Sequence, residues 1–334
     1  SKINNNICNK IFVIALSDNS KYERERLLNN IEVYRVKRSF LRSPLSVINP
    51  IFNFGRFFLT IIRLVLKNKI KILVIHSYIL LPLGAILKKL KGCLLVFDAH
   101  ELETEKNGLL GFKKRVSKII EKSFIYFVDI IFVVSESIAD WYSDEYLINK
   151  PTVIFNYPTH AEDLLTKNHN YFRKHFNIKN NEKIFLYQGV LSPGRGIELM
   201  INAFSDKDFA IEQNCCLIIM GYGPMKNEVI KAADEYDSIY FHKSVLPKDL
   251  ASYTSCADIG LSLIESSCLS YEYCMPNKLF EYLHCGIPVM ASNRRDMAEF
   301  IKNNELGVII DSESVEGIHN AIKKFEIKEI NNSK

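Results

Sequence analysis

The stretch "KIFLYQGVLSPGRGIELMINAF", Lys183 to Phe204, sets the reading of the fold. An unbroken apolar run ends in a loop of glycine, serine and proline, and the loop passes into a segment with Ile197, Met200, Ile201 and Phe204 on one helical face. Continuous apolar residues suit a parallel strand covered on both faces, and the switch to a 3.6-residue period marks the helix that follows it. The same rhythm recurs downstream in "CLIIMG", "SIYFHKSV", "DIGLSLI", "IPVMAS" and "LGVIID", and upstream in "KIFVIAL", "IEVYRV", "KILVIHSY", "CLLVFDAH", "IIFVVS" and "TVIFNYP". Upstream helices are expected over 80–90 and 112–126. The polar, aperiodic "NYPTHAEDLLTKNHNYF" separates the two series and puts a boundary near 158–170. Two β-α-β series predict an α/β protein of two doubly wound, Rossmann-like domains, 1–165 and 166–312, with a helix and polar tail at 313–334. Ligands of such sheets sit outside the carboxyl ends of the strands, so two domains facing each other across a cleft would place the chemistry on strand-end loops.

Composition agrees with two packed domains. The chain has 334 residues, 48% hydrophobic and 24% charged, with few glycines and prolines, which excludes a disordered or collagenous chain. Eight cysteines form no C-x-x-C pair and no zinc spacing with histidine, so they read as small buried residues in a reducing compartment. With a polar "SKINNNICNK" where an apolar leader would stand, a cytoplasmic location is expected, with the inner face of the cytoplasmic membrane as a further option. Charge is uneven: residues 1–158 carry 24 Lys and Arg against 14 Asp and Glu, and the remainder 19 against 24. A basic half suggests a polyanion, and the segment "NPIFNFGRFFLTIIRLVLKNKIK" favours an anionic membrane surface over nucleic acid. There Arg56 and Arg63 stand among Phe57, Phe58, Ile61, Ile62, Val65 and Leu66, as in a helix lying in the headgroup plane. An ordinary surface helix packing its apolar stripe on a sheet gives the same pattern.

A second segment, "MPNKLFEYLHCGIPV" from Met275 to Val289, carries the chemistry. Pro276 suits a helix start and Gly286 with Pro288 a helix stop, which places the first turn near Asn277. Free N–H groups and the positive dipole end attract an anion, and Lys278 adds a full charge. Glu281, three residues on, shares its face and could accept two hydroxyl protons, a match for the diphosphate and ribose diol of a nucleotide. A solvent-exposed Lys–Glu pair has the same spacing. In the first segment Gly189, Gly194 and Gly196 let the backbone approach a phosphate, and Arg195 offers a planar fork of donors.

"YQGVLSPGRGIELMINAF", "IIMGYGP" and "PNKLFEYLHCGIPVMAS", in this order and spacing, resemble the glycosyltransferase group 1 family (family 4), and the likeness covers most of residues 184–311. The resemblance implies the GT-B fold and a retaining, metal-independent transfer from a nucleotide diphosphate sugar, with no cofactor beyond a UDP- or GDP-linked donor. It implies a donor bound mainly by the second domain and an acceptor by the first. Position by position, Arg195 falls on the family's diphosphate-binding lysine and Glu281 on the second glutamate of its E-x7-E motif. His100, at the end of "LVFDAH", falls on the histidine facing the donor sugar, with Asp98 able to orient it. Gly221 and Gly223 match the glycine-rich turn, and "HKSVLPKDL", with Lys243 and Val245, matches the segment whose backbone reads the base. Two positions depart from the pattern: Tyr273 stands where the first glutamate is expected, with Glu272 one out of register, and Val190 stands for a second phosphate-binding arginine. Lys278 is expected to supply the missing charge.

These assignments give His100, Arg195 and Lys278 catalytic roles, and give donor contacts to the glycines, Lys243, Val245, Pro276, Asn277 and Glu281. The expected acceptor is a lipid-linked saccharide for capsule or O-antigen, bound by a basic domain in peripheral contact with the membrane. A nucleotide-sugar 2-epimerase of the same architecture and a degenerate nucleotide-binding subunit are the alternatives; a dehydrogenase lacks its G-x-G-x-x-G after the first strand.

Overall fold

The computed structural model describes residues 10–17, 24–28, 30–37, 49–158 and 170–332. The expected boundary segment, 159–169, and Cys8 lie outside the described residues. Contacts divide the chain into two compact units, Ser1–Asp98 with Ser117–Ile131, and Ala99–Val116 with Phe132–Lys334.

The elements begin with β1 Ile11–Ser17, β2 Arg24–Leu28, β3 Ile31–Lys37, α1 Asn49–Lys67, β4 Ile72–Ile75, α2 Leu81–Lys91, β5 Leu94–Ala99, α3 Gly111–Phe124 and β6 Ile130–Val133. In the first unit β3 lies between β1, parallel to it, and β2, antiparallel to it. From the sequence, "ALSDNSKYERER" at 15–26 reads as the loop after the first strand and before a helix; β1 in fact runs to Ser17 and a second strand, β2, begins at Arg24. Its cause is charge across the ladder. Glu32 of β3 is 3% exposed and takes Arg24 at 2.7 Å, Arg26 at 3.5 Å, Lys10 at 2.8 Å and the Tyr34 hydroxyl at 3.0 Å. Hydrogen bonds from Lys10 and Arg24 hold its carboxyl down at about 2. Helix α1 packs Phe57, Ile61 and Val65 against Val36 and Leu87, so one apolar stripe belongs to the core. Phe54, Leu59 and Leu66 remain exposed beside Arg56, Arg63 and Lys67. Strand β4 pairs in parallel with β5, from Ile72↔Leu94 to Ile75↔Phe97.

The order continues with α4 Glu136–Tyr146, β7 Thr152–Val153, α5 Tyr171–Phe176, β8 Lys183–Val190, α6 Ile197–Phe204, α7 Lys207–Glu212, β9 Cys215–Tyr222, α8 Lys226–Glu235 and β10 Ile239–Lys243. It ends with α9 Pro247–Thr254, β11 Ile259–Ser262, α10 Leu269–Glu272, α11 Asn277–His284, β12 Val289–Ala291, α12 Arg295–Asn303, β13 Gly307–Ile309 and α13 Val315–Asn332. Six strands form one parallel sheet in the order β10-β9-β8-β11-β12-β13. Counted from β8 this is 3-2-1-4-5-6, the doubly wound order whose direction reverses between its first and fourth strands. Both faces are covered, as the unbroken apolar runs require. Phe185 and Tyr187 of β8 join Leu217 and Ile219 of β9 on one face, and Ile184 and Leu186 join Cys216 and Ile218 on the other. Helix α13 adds Ile318, Ala321, Ile322 and Phe325 to the first of these cores. The seven described cysteines are free thiols, four of them buried.

Candidate active site

The crevice is made where β8 and β11 part. They pair only through Ile259↔Phe185 and Gly260↔Leu186. Beyond that register Tyr282 of α11 fills the seam. Its hydroxyl accepts from Gln188 N at 3.1 Å and lies 3.0 Å from Leu186 O and 3.1 Å from Leu261 O, so a single side chain satisfies the backbone of both diverging strands. Its ring needs Gly260, where a Cβ would meet ring carbon at 2.2 Å. The chain leaving β8 turns through Gly189, Gly194 and Gly196 into α6. Gly196 is in the left-handed region at φ 68°, and a Cβ there would lie 2.8 Å from the Leu263 carbonyl oxygen, so only glycine lets the loop close on β11.

Helix α11 starts at Asn277 with Pro276 as its cap residue, where the sequence placed it. Its first turn brings Lys278 inward. The side chain is 9% exposed, its Nζ is closed to solvent and has no hydrogen-bond partner, and it lies 3.8 Å from the centre of the Tyr187 ring. The Gly189 turn faces it: a Cβ there would be 3.9 Å from Nζ. A solvent-exposed pair with Glu281 is therefore excluded. Arg195 stands over the Tyr271 ring at 4.9 Å. Desolvation first, then the Arg195 charge, push the Lys278 amine down to about 7, against the pull of Glu281 and Cys274. Burial raises the Cys274 thiol to about 12 and the Tyr187 phenol higher still.

Glu281 is held in place. Gln188 Nε2 donates to its Oε2 at 2.6 Å, and the Thr254 hydroxyl donates to Gln188 Oε1 at 2.7 Å. One carboxylate oxygen is thus fixed from behind while Glu281 stays partly exposed. Sequence reasoning missed Tyr187, Gln188, Thr254 and Tyr282. The available signal was Gln188 itself, a polar residue inside an otherwise apolar strand, which burial obliges to find partners.

The other expected residues are placed as follows. Gly221 lies against Gly189 in the β8–β9 register, opposite Lys243 on its other side, and Gly223 follows at the turn. Lys243 is exposed, and Val245 packs partly into the apolar face built on Ile184 and Leu186. His100 is exposed just after β5, with Asn156 Nδ2 at 3.2 Å from its Nδ1. Asp98 lies 3.3 Å from His76 Nδ1. Glu272 is committed elsewhere: the buried Arg294 donates to it at 2.7 Å and also to Glu313. Tyr273 accepts from the Ser135 hydroxyl through its carbonyl at 2.7 Å and turns its ring toward Arg295. Neither side chain stands in for the absent first glutamate, and the Val190 carbonyl only accepts from the Tyr187 hydroxyl.

Two family profiles match nearly end to end: glycosyl transferases group 1 over residues 169–334 and glycosyltransferase family 4 over 9–157. The chain belongs to the group 1, family 4 glycosyltransferases. It is 24% identical over 261 residues to a chitobiosyldiphosphodolichol beta-mannosyltransferase of Candida glabrata, covering 69% of this chain and 56% of that one. The chain spans about half the length of the curated relatives it matches. Among solved structures, sucrose-phosphate synthase of Thermosynechococcus elongatus superposes with a TM-score of 0.73 at 17% identity, covering 95% of this chain and 79% of that one. HepE of Anabaena, in complex with UDP-glucose, gives 0.64 at 13% identity, covering 94% and 89%. The fold of this glycosyltransferase is GT-B.

Proposed function

We propose that this chain transfers a glycosyl unit from a nucleotide diphosphate sugar to an acceptor hydroxyl. The observation that carries the reading is Lys278: a buried amine with no hydrogen-bond partner, beside Arg195, at the strand crevice where doubly wound sheets bind ligands. An amine buried without an anion is costly to hold charged, and a pyrophosphate supplies the missing charge. Arg195, Lys278 and the free N–H groups of α11 then stabilise the departing diphosphate, the difficult charge of the reaction. Glu281, oriented by Gln188, accepts from the ribose diol. His100 holds the donor sugar as the family pattern implies, and Lys243 with Val245 flanks the base.

Transfer with retention fits a site in which Glu281 and Glu272 are both engaged by side-chain donors, leaving the phosphate itself to take the acceptor proton. The acceptor would be a saccharide on a lipid diphosphate, a reading supported by the chitobiosyldiphosphodolichol mannosyltransferases among its relatives. An acceptor at a membrane, as in capsule or O-antigen synthesis, is supported by the exposed Phe54, Leu59 and Leu66 beside three cations on α1, a face suited to an anionic bilayer. Among the described residues no helix is long and apolar enough to cross a membrane. Incubation with UDP- and GDP-sugars and a lipid-diphosphate saccharide tests the reading: sugar transfer to the lipid is expected, and neither transfer nor nucleotide release from any donor would overturn it. Proton NMR of the new linkage then decides between retention and inversion.

A further inference from the structure

The crevice holds two basic side chains, each with its head group against an aromatic ring, and among the described residues no acidic group bonds either of them. Arg195 cannot give up its proton in a protein, whereas Lys278 can. Nζ of Lys278 is closed to solvent and accepts or donates no hydrogen bond. The groups that face it come from four segments: Tyr187 from β8, Arg195 from the loop before α6, Cys274 from the turn before α11, and Glu281 from its own helix. Of these only Glu281 could be a counter-charge. It forms no ion pair with Lys278 within 4.0 Å and is bonded to Gln188 instead. The Tyr187 ring face attracts a cation, but a lone aromatic face replaces only part of the lost hydration.

Resting on the diphosphate reading above, we propose that Lys278 is a neutral amine in the empty protein and takes one proton from water when a nucleoside diphosphate or its sugar ester binds. The new N–H bond turns the amine into an ammonium beside the pyrophosphate, and the proton returns to solvent when the nucleotide leaves. The empty crevice thereby avoids holding two like charges side by side, and the loaded one has both. Specificity follows as well. A ligand without the diphosphate gives Lys278 no reason to charge, so a nucleoside binds without taking up a proton. Above pH 7 the affinity for nucleotide falls with rising pH, because each binding event must draw a scarcer proton.

The test is calorimetric titration of the full chain at pH 8 with UDP, GDP, UDP-glucose and GDP-mannose, each in two buffers of low and high ionisation enthalpy. The sugar esters have no phosphate titrating near pH 7, so proton uptake with them belongs to the protein. With Lys278 titrating at about 7, uptake of roughly 0.9 proton per nucleotide is expected at pH 8 and about half a proton at pH 7. Uridine and guanosine should bind far more weakly and take up none. Lys278→Arg, charged at all pH values, should bind nucleotide without proton uptake; Lys278→Met should lose both the uptake and at least tenfold in affinity, with circular dichroism confirming its fold. Nucleotide binding with no proton uptake, or with uptake that survives in Lys278→Met, overturns the assignment. Binding of none of the four ligands overturns the diphosphate reading itself, and this inference with it.

Discussion

Replacing Lys278 by methionine should stabilise the empty protein, although it removes a residue assigned to the site. Methionine keeps the length and apolar stem that pack in the crevice and removes only the ionisable head. The unfolded chain holds its lysine proton up to pH 10.5, whereas the folded chain holds it only below about 7. Between those values the unfolded state binds one proton more, so the lysine destabilises the fold, and the penalty grows as pH falls from 10.5 to 7. At 1.36 kcal/mol per pH unit it is about 3 kcal/mol at pH 8, an upper figure that relaxation and water entry reduce to roughly 2 to 3. Urea unfolding followed by fluorescence of Trp141, the sole tryptophan and a residue of the second unit, reads this change locally. Lys278→Met should raise the midpoint at pH 8. Its advantage should shrink by about 1.4 kcal/mol per unit as pH rises toward 10. A variant less stable than the parent, or an advantage that does not depend on pH, refutes the argument that this amine is buried at a cost.

Three further outcomes follow from particular contacts. Gln188→Leu frees the Glu281 carboxylate, and nucleotide affinity should fall about tenfold for a ribonucleotide but hardly for its 2′,3′-dideoxy analogue; equal losses would place Gln188 elsewhere in the mechanism. Tyr282→Phe leaves Gln188 N and two strand carbonyls without their shared partner and should cost about 1 to 3 kcal/mol in urea unfolding, with a neutral result denying that the hydroxyl joins the parted strands. Glu32, held at about 2 when folded against 4.5 unfolded, contributes stability that is fully present above pH 4.5 and lost as pH falls through 2; Glu32→Gln should flatten that acid limb in the first unit, and an unchanged limb would assign it to other carboxylates.

Much of the second unit was legible because its strands are apolar throughout and its helices keep a clean period, and both faces of that sheet are indeed covered. The strand order was not legible. Spacing shows that β8 to β13 exist, but placing β11 beside β8 depends on Tyr282 meeting Gly260, a contact between residues far apart in sequence. Strand β2 was missed for the same reason: Arg24 and Arg26 read as loop charges until Glu32 is seen across the ladder. Lys278 was found as a cation at a helix start, yet its burial could not be read, since the same spacing fits a solvent-exposed pair. Glu272 illustrates the converse. One step out of register, it looked like a displaced motif residue, whereas the buried Arg294 had already claimed it.

The most direct measurement is the position of a nucleoside diphosphate in crystals grown with UDP or GDP. The account requires the pyrophosphate within hydrogen-bonding distance of Lys278 Nζ and the Arg195 guanidinium, with the ribose diol on Glu281. A nucleotide ordered elsewhere, with Lys278 Nζ still unpartnered, would contradict it.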